Sequence, residues 1–351
     1  MYVGTSVQGL SLFLETKIQM TELRIEVLKA GYGDCIFITI EDYDCQMFTI
    51  MMDGGLQSAY QVRDKKGRLT DGCLKQKLDQ MRKDGLSIDL LIITHVDKDH
   101  IGGVFSWFKH DFPTADFVKE IWINDDVEVT EASNLDNSTA QAASLIDLLK
   151  ERNIKYKNQL VAGRKFCFDW GWIYVLAPKD AHHNAIAKEI GKELNNNADE
   201  EYQKSIKAYL TDKWVMDDVT AENDASIAIL LQTKDGENDL LLGDANIRTV
   251  MDCISKSDVI RKPMKCRMVK LSHHGSRNNF MPEFLDLVES DGYIFSTDGS
   301  LYHHPHKEVF AQLIDKTTAT LYFNYIERGQ SMITEQDKTD YPEIMDRIKE
   351  I

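Results

Sequence analysis

Short apolar runs broken by glycines organise the first part of the chain. Residues 23–28, 35–40 and 48–52 are rich in β-branched and aromatic side chains, with Gly31, Gly33 and Gly54-Gly55 between and after them. This pattern predicts three successive strands in an antiparallel meander. Leu74, Leu78 and Met81 then recur at helical spacing within residues 70–84, and residues 88–93 form a further strand. A helix over 104–108, a strand over 121–123 and a helix over 139–150, striped by Ala142, Leu145, Leu148 and Leu149, continue the alternation. Strands are expected again at 166–168, 172–176, 227–231, 239–242, 268–271, 292–296 and 318–323, with helices at 246–256, 282–288 and 306–314. Residues 179–224 break the pattern. They are charged, Asn-rich and helical in character, and read as an insertion or lid rather than a domain.

The composition narrows the class. A chain of 351 residues with 43% hydrophobic content can bury a substantial core. The expectation is one domain over residues 20–351, preceded at 1–19 by a dispensable extension or a misassigned start, because a strand pattern starts directly after Met20. Cys35, Cys45, Cys73, Cys167, Cys253 and Cys266 form no CxxC pair, which argues against a thiolate zinc site and predicts reduced, mostly buried thiols. No apolar run approaches the roughly 20 residues that span a bilayer, so no membrane partner and a cytoplasmic location are expected. The net charge of −16 opposes broad attraction to a polyanion. Basic segments at 63–83 and 261–270 are local, and the first reads as a solvated face.

Chemistry concentrates where strands end. Leu90-Leu91-Ile92-Ile93-Thr94-His95-Val96-Asp97-Lys98-Asp99-His100-Ile101-Gly102-Gly103 is an apolar strand followed by candidate metal ligands His95, Asp97, Asp99 and His100. A buried strand delivers its end rigidly, and the following loop can turn several side chains toward one point. Later strand ends carry Asp244 in Leu242-Gly243-Asp244-Ala245, His273 and His274 in Ser272-His273-His274-Gly275-Ser276, and the carboxylate of Asp53-Gly54-Gly55. Each is weak alone; together they make a coherent set of oxygen and nitrogen donors.

These segments resemble the metallo-β-lactamase fold hydrolases, whose metal motif is usually HxHxDH followed by later Asp and His ligands. The soluble catalytic domain of ComEC-type DNA-uptake proteins is the closer likeness. It rests on Ala30-Gly31-Tyr32-Gly33-Asp34, Met52-Asp53-Gly54-Gly55, Thr94 to Gly103, Asn223-Asp224-Ala225-Ser226 through Gly243-Asp244-Ala245, Ser272 to Ser276, and Tyr302-His303-His304-Pro305-His306. It covers roughly residues 23–330 in matching order. The resemblance implies an α/β fold, the αββα sandwich, here with a charged helical insertion. Two departures stand out. Asp97 replaces the second histidine of the common motif, a variant the ComEC-like subgroup shares, and no histidine lies between His110 and His182 to supply the usual middle ligand. His182 and His183 open the polar insertion and read as surface residues.

The resemblance further implies two divalent ions, Zn or Mn, with His95 and Asp97 on one, Asp99, His100 and one of His273 or His274 on the other, and Asp244 between them. Hydroxide held there would attack a phosphoryl group, with Asp99 orienting it. Oxygen donors favour harder ions, and the Asp97 exchange leans toward manganese. Ser276 and Arg277 are candidates for holding a phosphate, with a simple turn as the alternative. His304 is a candidate general acid, or a residue that packs at a helix start. Gly31-Tyr32-Gly33-Asp34 lacks P-loop spacing and reads as a tight turn. The leading expectation is a metal-dependent phosphodiesterase or nuclease. Two alternatives remain: a hydrolase of a carboxylic ester, thioester or lactam, and a metal-stabilised module that binds a protein partner through 179–224 without turnover.

Overall fold

The computed structural model describes residues 21–124, 137–152, 154–180, 198–216, 221–301 and 303–351. Residues 1–19, His182, His183 and Tyr302 therefore lie outside the described residues, as does part of the expected insertion.

The first sheet begins with the expected meander, β1 (Glu22–Val27), β2 (Ile36–Glu41) and β3 (Met47–Met52). A separate ribbon of β4 (Gln61–Arg63) and β5 (Leu69–Asp71) follows. Then β6 (Leu90–Ile92), β7 (Ile121–Trp122) and β8 (Tyr156–Lys157) add in parallel, giving the order β1-β2-β3-β6-β7-β8. The second sheet holds β9 (Lys165–Phe168), β10 (Gly171–Ala177), β11 (Ala228–Thr233), β12 (Asn238–Leu241), β13 (Met264–Lys270), β14 (Val288–Phe295), β15 (Thr320–Phe323) and β16 (Ile348–Glu350), paired in sequence order.

Burial on both faces explains the continuous apolar runs. Along β2, β3 and β6, Ile38, Ile50, Leu90 and Ile92 face the opposite sheet, whereas Phe37, Met51 and Leu91 face helices. Along β11, β12 and β14, Ile229, Leu231, Leu241 and Ile294 meet them across the sandwich, whereas Leu230, Leu240 and Phe295 face the other helical layer. Helices Cys73–Lys83, Lys98–His110 and Asn137–Glu151 cover the first sheet; Ile247–Lys256 and Lys307–Lys316 cover the second. The protein is thus an α/β chain of two mixed sheets flanked by helices, an αββα sandwich.

Two expectations need correction. The helix expected at 104–108 begins at Lys98, so Asp99 and His100 stand on its first turn rather than on a loop. Gly102 and Gly103 do not delay it, because close packing requires them: a Cβ on Gly103 would sit 2.0 Å from the Gly54 carbonyl oxygen. The thiols are not mostly buried. Only Cys35 and Cys266 are, while Cys45 and Cys167 are exposed. The described part of the polar segment packs on the second sheet. Tyr202 and Ile206 enter the core of the second sheet, and the Tyr202 hydroxyl donates to the Pro305 carbonyl at 2.7 Å.

Candidate metal centre

Parallel pairing decides where the chemistry gathers. Because β3 runs parallel to β6, and β12 to β13 and β14, the C-terminal ends of all five strands open on one edge of the sandwich. In α/β sheets that edge is where ligands bind. Asp53 follows β3, His95 follows β6, Asp244 follows β12, His273 and His274 follow β13, and Ser296 follows β14. The two sheets are stitched there by the Ile227 amide, which donates to the Thr94 carbonyl at 3.0 Å.

Asp244 is the hub. Its Oδ2 lies 3.3 Å from His100 Nε2, 3.7 Å from His273 Nε2, 3.8 Å from His274 Nε2 and 3.9 Å from His95 Nε2. Asp97 Oδ2 is 3.5 Å from His95 Nε2, and Asp99 Oδ2 is 3.3 Å from His274 Nε2 and 3.8 Å from His100 Nε2. The structure therefore brings together all seven residues expected as ligands. Four overlapping groups, His95-His100-Asp244, Asp99-His100-His274, Asp34-Asp53-His100 and Asp34-Asp244-His274, present donor atoms within 4.8 Å of one another.

The hydrogen bonds behind the imidazoles decide which nitrogen carries the proton. His100 Nδ1 donates to Asp53 Oδ2 at 2.8 Å, and His274 Nδ1 donates to the Ser296 carbonyl at 2.7 Å. The Thr94 hydroxyl donates to Asp53 Oδ2 at 2.7 Å, so its oxygen accepts from His95 Nδ1 at 2.9 Å. Three Nε2 lone pairs are left aimed at carboxylate oxygens, and His95 Nε2, His100 Nε2 and Asp244 Oδ1 have no hydrogen-bond partner although buried. Lone pairs facing carboxylates in a dry interior repel unless a cation lies between them. His273 is different. Its Nδ1 touches both the Asn223 amide nitrogen at 2.9 Å and Asn279 Oδ1 at 3.0 Å, and its side chain is one-quarter exposed.

The titration behaviour reports the same deficit of positive charge. Burial opposes charging of His100 and His274, yet the carboxylates win: Asp244, Asp99 and Asp53 hold His100 well above the usual imidazole range, and Asp244 with Asp34 lifts His274 to about 9. Burial works against Asp244 as well, and the surrounding imidazolium charges hold it well below the carboxylate range. Without a metal the cluster takes protons instead. The donor set, two to three imidazoles with carboxylates, suits Zn²⁺ or Mn²⁺, so the residues fit the ion that the fold implies.

Left-handed backbone occurs on both sides of this centre, at two adjacent residues on the second sheet and at one on the first. His273 and His274 adopt left-handed φ values of 46° and 55°, and Asp53 one of 58°. Such conformations cost non-glycine residues free energy and persist where surrounding structure enforces them.

The other expected residues are less committed. Ser276 is buried, and its hydroxyl caps the turn Arg277–Asn279 by accepting from the Asn278 amide at 3.3 Å, the structural alternative of the two. Arg277 Nη1 pairs with Glu308 Oε1 at 3.3 Å. His304 is buried with its ring centroid 4.8 Å from that of His273; burial, then the neighbouring imidazoles, push it well below the ordinary imidazole range. Sequence reasoning missed Asp34 and Lys270 as parts of the centre and gave Asp53 no defined place. The Asp34 signal was a carboxylate directly before an apolar strand, hidden by its reading as a turn. Asp34 is in fact fully enclosed, because the turn packs on the ligand helix: a Cβ on Gly33 would lie 2.0 Å from the Asp99 carbonyl oxygen.

An αββα sandwich with a buried His/Asp cluster at one edge is consistent with the metallo-β-lactamase fold and suggests a metal-dependent hydrolase. The chain is a distant homologue of ComE operon protein 3 of Bacillus subtilis (strain 168), with 19% identity over 299 residues. The match covers 84% of this chain and 31% of the relative, so the chain spans about a third of that protein's length. No protein-family model matches. No helix among the described residues is long and apolar enough to cross a membrane.

Proposed function

We propose that the protein is a metal-dependent phosphodiesterase or nuclease working on two divalent ions, Zn or Mn. The observation that carries this reading is the convergence of three buried Nε2 lone pairs on the Asp244 and Asp99 carboxylates, each imidazole locked from behind. His95 and Asp97 would hold one ion, Asp99, His100 and His274 the other, with Asp244 between. His274 is preferred over His273 because its Nδ1 is committed to the Ser296 carbonyl, whereas His273 is flanked by two amides. Such ions polarise a phosphoryl or carbonyl oxygen and acidify an attacking water.

The protein's own groups do the rest. Asp99, only 18% exposed, accepts the proton of the attacking water and aligns it. Asp53 keeps His100 in the tautomer that presents Nε2. His304, neutral beside His273, orients the leaving oxygen by a hydrogen bond from its ring N–H, and the proton that Asp99 has taken from water is the one available to the leaving group. Ser276 and Arg277 shape the substrate wall through the turn that Ser276 caps.

One observation favours a carboxylic ester, thioester or lactam as the second reading. Among the described residues, the arginines around the mouth are engaged: Arg277 by Glu308, and Arg328 by the His304 and His303 carbonyls at 3.1 and 3.0 Å. Few cations remain to meet a polyanion. Measuring bound metal by mass spectrometry, together with a panel of phosphodiester and ester substrates under Mn²⁺ and Zn²⁺, tests both. The expected result is phosphodiester cleavage that disappears in the Asp99→Ala/His100→Ala variant. Ester cleavage alone favours the second reading. Metal without any turnover leaves the partner-binding module, through 179–224, as the better account.

A further inference from the structure

Among the described residues, Lys270 is the one lysine or arginine built into the floor of the centre, and the metal motif does not use it. It ends β13, and its side chain is 1% exposed. The ammonium donates to Asp34 Oδ2 and to the Gly243 carbonyl at 3.1 Å, and lies 3.9 Å from Asp244 Oδ1. Asp34 Oδ1 and Asp244 Oδ1 are buried without hydrogen-bond partners, and Asp34 Oδ1 is 3.3 Å from His274 Nδ1. Asp34 and Asp244 thus line a pocket beside His274 Nδ1, whose proton is committed to the Ser296 carbonyl, and their carboxylate oxygens are spaced to hold a cation. Its two carboxylates converge on an amine.

We propose that the Lys270 ammonium is the resident cation of the Asp34–Asp244 pocket, and that it confines divalent ions to the opposite side of Asp244. This inference rests on metal binding by the centre. Two consequences follow from charge and geometry. With Asp34 neutralised by Lys270, the remaining carboxylates are Asp53, Asp97, Asp99 and Asp244, the negative charge that two dications offset. The ammonium also draws Asp244 Oδ1 toward the floor, which leaves Oδ2 facing the four Nε2 atoms at 3.3–3.9 Å. Lys270 is therefore a positioning residue. A small dication entering its pocket would have to displace a buried amine already bound to a buried carboxylate, which is unfavourable.

Removing the amine while keeping Asp34 opens the pocket. The Lys270→Met variant, purified in Mn²⁺ and assayed by metal-to-protein ratio, is expected to hold one more ion per chain than the unaltered protein. The Lys270→Met/Asp34→Asn double variant returns to the original ratio. Asp34→Asn alone keeps the ratio but frees the amine to compete for Asp244, lowering Mn²⁺ affinity by about tenfold. An ion pair that only braces the fold would lower melting temperature in both single variants without changing ratio or affinity, and that result overturns the proposal. Should Lys270→Met fail to fold by circular dichroism, unchanged affinity in Asp34→Asn overturns it equally. If the unaltered protein binds no Mn²⁺ or Zn²⁺, the metal-binding reading itself falls, an outcome distinct from the others.

Discussion

The two sheets bring ligands to the same point by different means. The first delivers His95, Asp97, Asp99 and His100 through a strand-to-helix joint, with Asp97 at the N-cap and right-handed helix immediately after it. The second delivers His273 and His274 on a tight turn in left-handed backbone, stacked against Ser296 and the Asn223 and Asn279 amides. Regular structure places Asp99 and His100, while His95 and Asp97 sit in the short joint between β6 and the helix, the His95 ring held by the Thr94 hydroxyl. The second group sits where the chain would not go by itself, and its neighbours offset the strain. One half of the centre is preformed by secondary structure; the other half is preformed by tertiary contacts.

Truncation of the regular half has the largest expected effect. His100→Ala removes the imidazole closest to Asp244 and shared by three of the four donor groups. Metal affinity should fall by more than the roughly 100-fold that outer-layer changes cost, and turnover should fall with it. Retained metal at micromolar ion concentration would show that the strained half holds the ion by itself.

The strained half sets the pH dependence. In the metal-free protein His274 titrates at about 9, and its proton must leave before Nε2 can ligate. Divalent affinity should therefore rise by at least about tenfold per pH unit up to about 9. The metal-free protein should show the opposite trend. A raised imidazole pKa contributes stability that is fully present below about 6.5 and is lost as pH rises through about 9, so melting temperature should fall over that window. Calorimetric titration and thermal melts at pH 6–9 check both signs. Affinity that is flat from pH 6 to 9 would mean that His274 is not a ligand.

Asp53→Asn probes the joint between the halves. The carboxylate accepts from the Thr94 amide at 2.8 Å, the Thr94 hydroxyl and His100 Nδ1. An amide has one oxygen for these donors, so affinity should drop by about 10–100-fold while the fold survives. A loss as large as that in His100→Ala would place Asp53 in direct contact with the ion.

What could be read from the chain follows the same division. β2, β3, β6 and β11–β14 were legible because burial on both faces writes an uninterrupted apolar run. The ligands after β6 were legible because donor residues crowd within six positions. The early helix start at Lys98 was not, since glycines look like breakers until the Gly54 carbonyl is seen against Gly103. Asp34 and Lys270 stand 236 positions apart, and no local pattern joins them. Tyr202 and Ile206 were hidden in a charged stretch, where two apolar residues too few to make a stripe still reach a core supplied by other elements.

The smallest expected effect isolates the strain itself. His273 has φ 46°, a conformation that glycine adopts freely and that costs other residues on the order of 1–2 kcal/mol. His273→Gly removes this cost and the imidazole together. Deleting the ring gives up its contacts with Asn223 and Asn279 and its packing on His304, a loss that opposes the relief but is smaller than for an imidazole with no exposed surface. Flexibility gained by the unfolded glycine chain offsets part of the relief. With relief and lost contacts opposed, the metal-free variant should stay within about 1 kcal/mol of the parent in urea denaturation. The corresponding change on the regular side, His100→Gly, should destabilise, since it removes an imidazole with no exposed side-chain surface and puts glycine in a helix. Equal destabilisation at the two positions would mean that the left-handed turn stores no strain, and that its shape comes from the surrounding structure without cost to the histidine backbone.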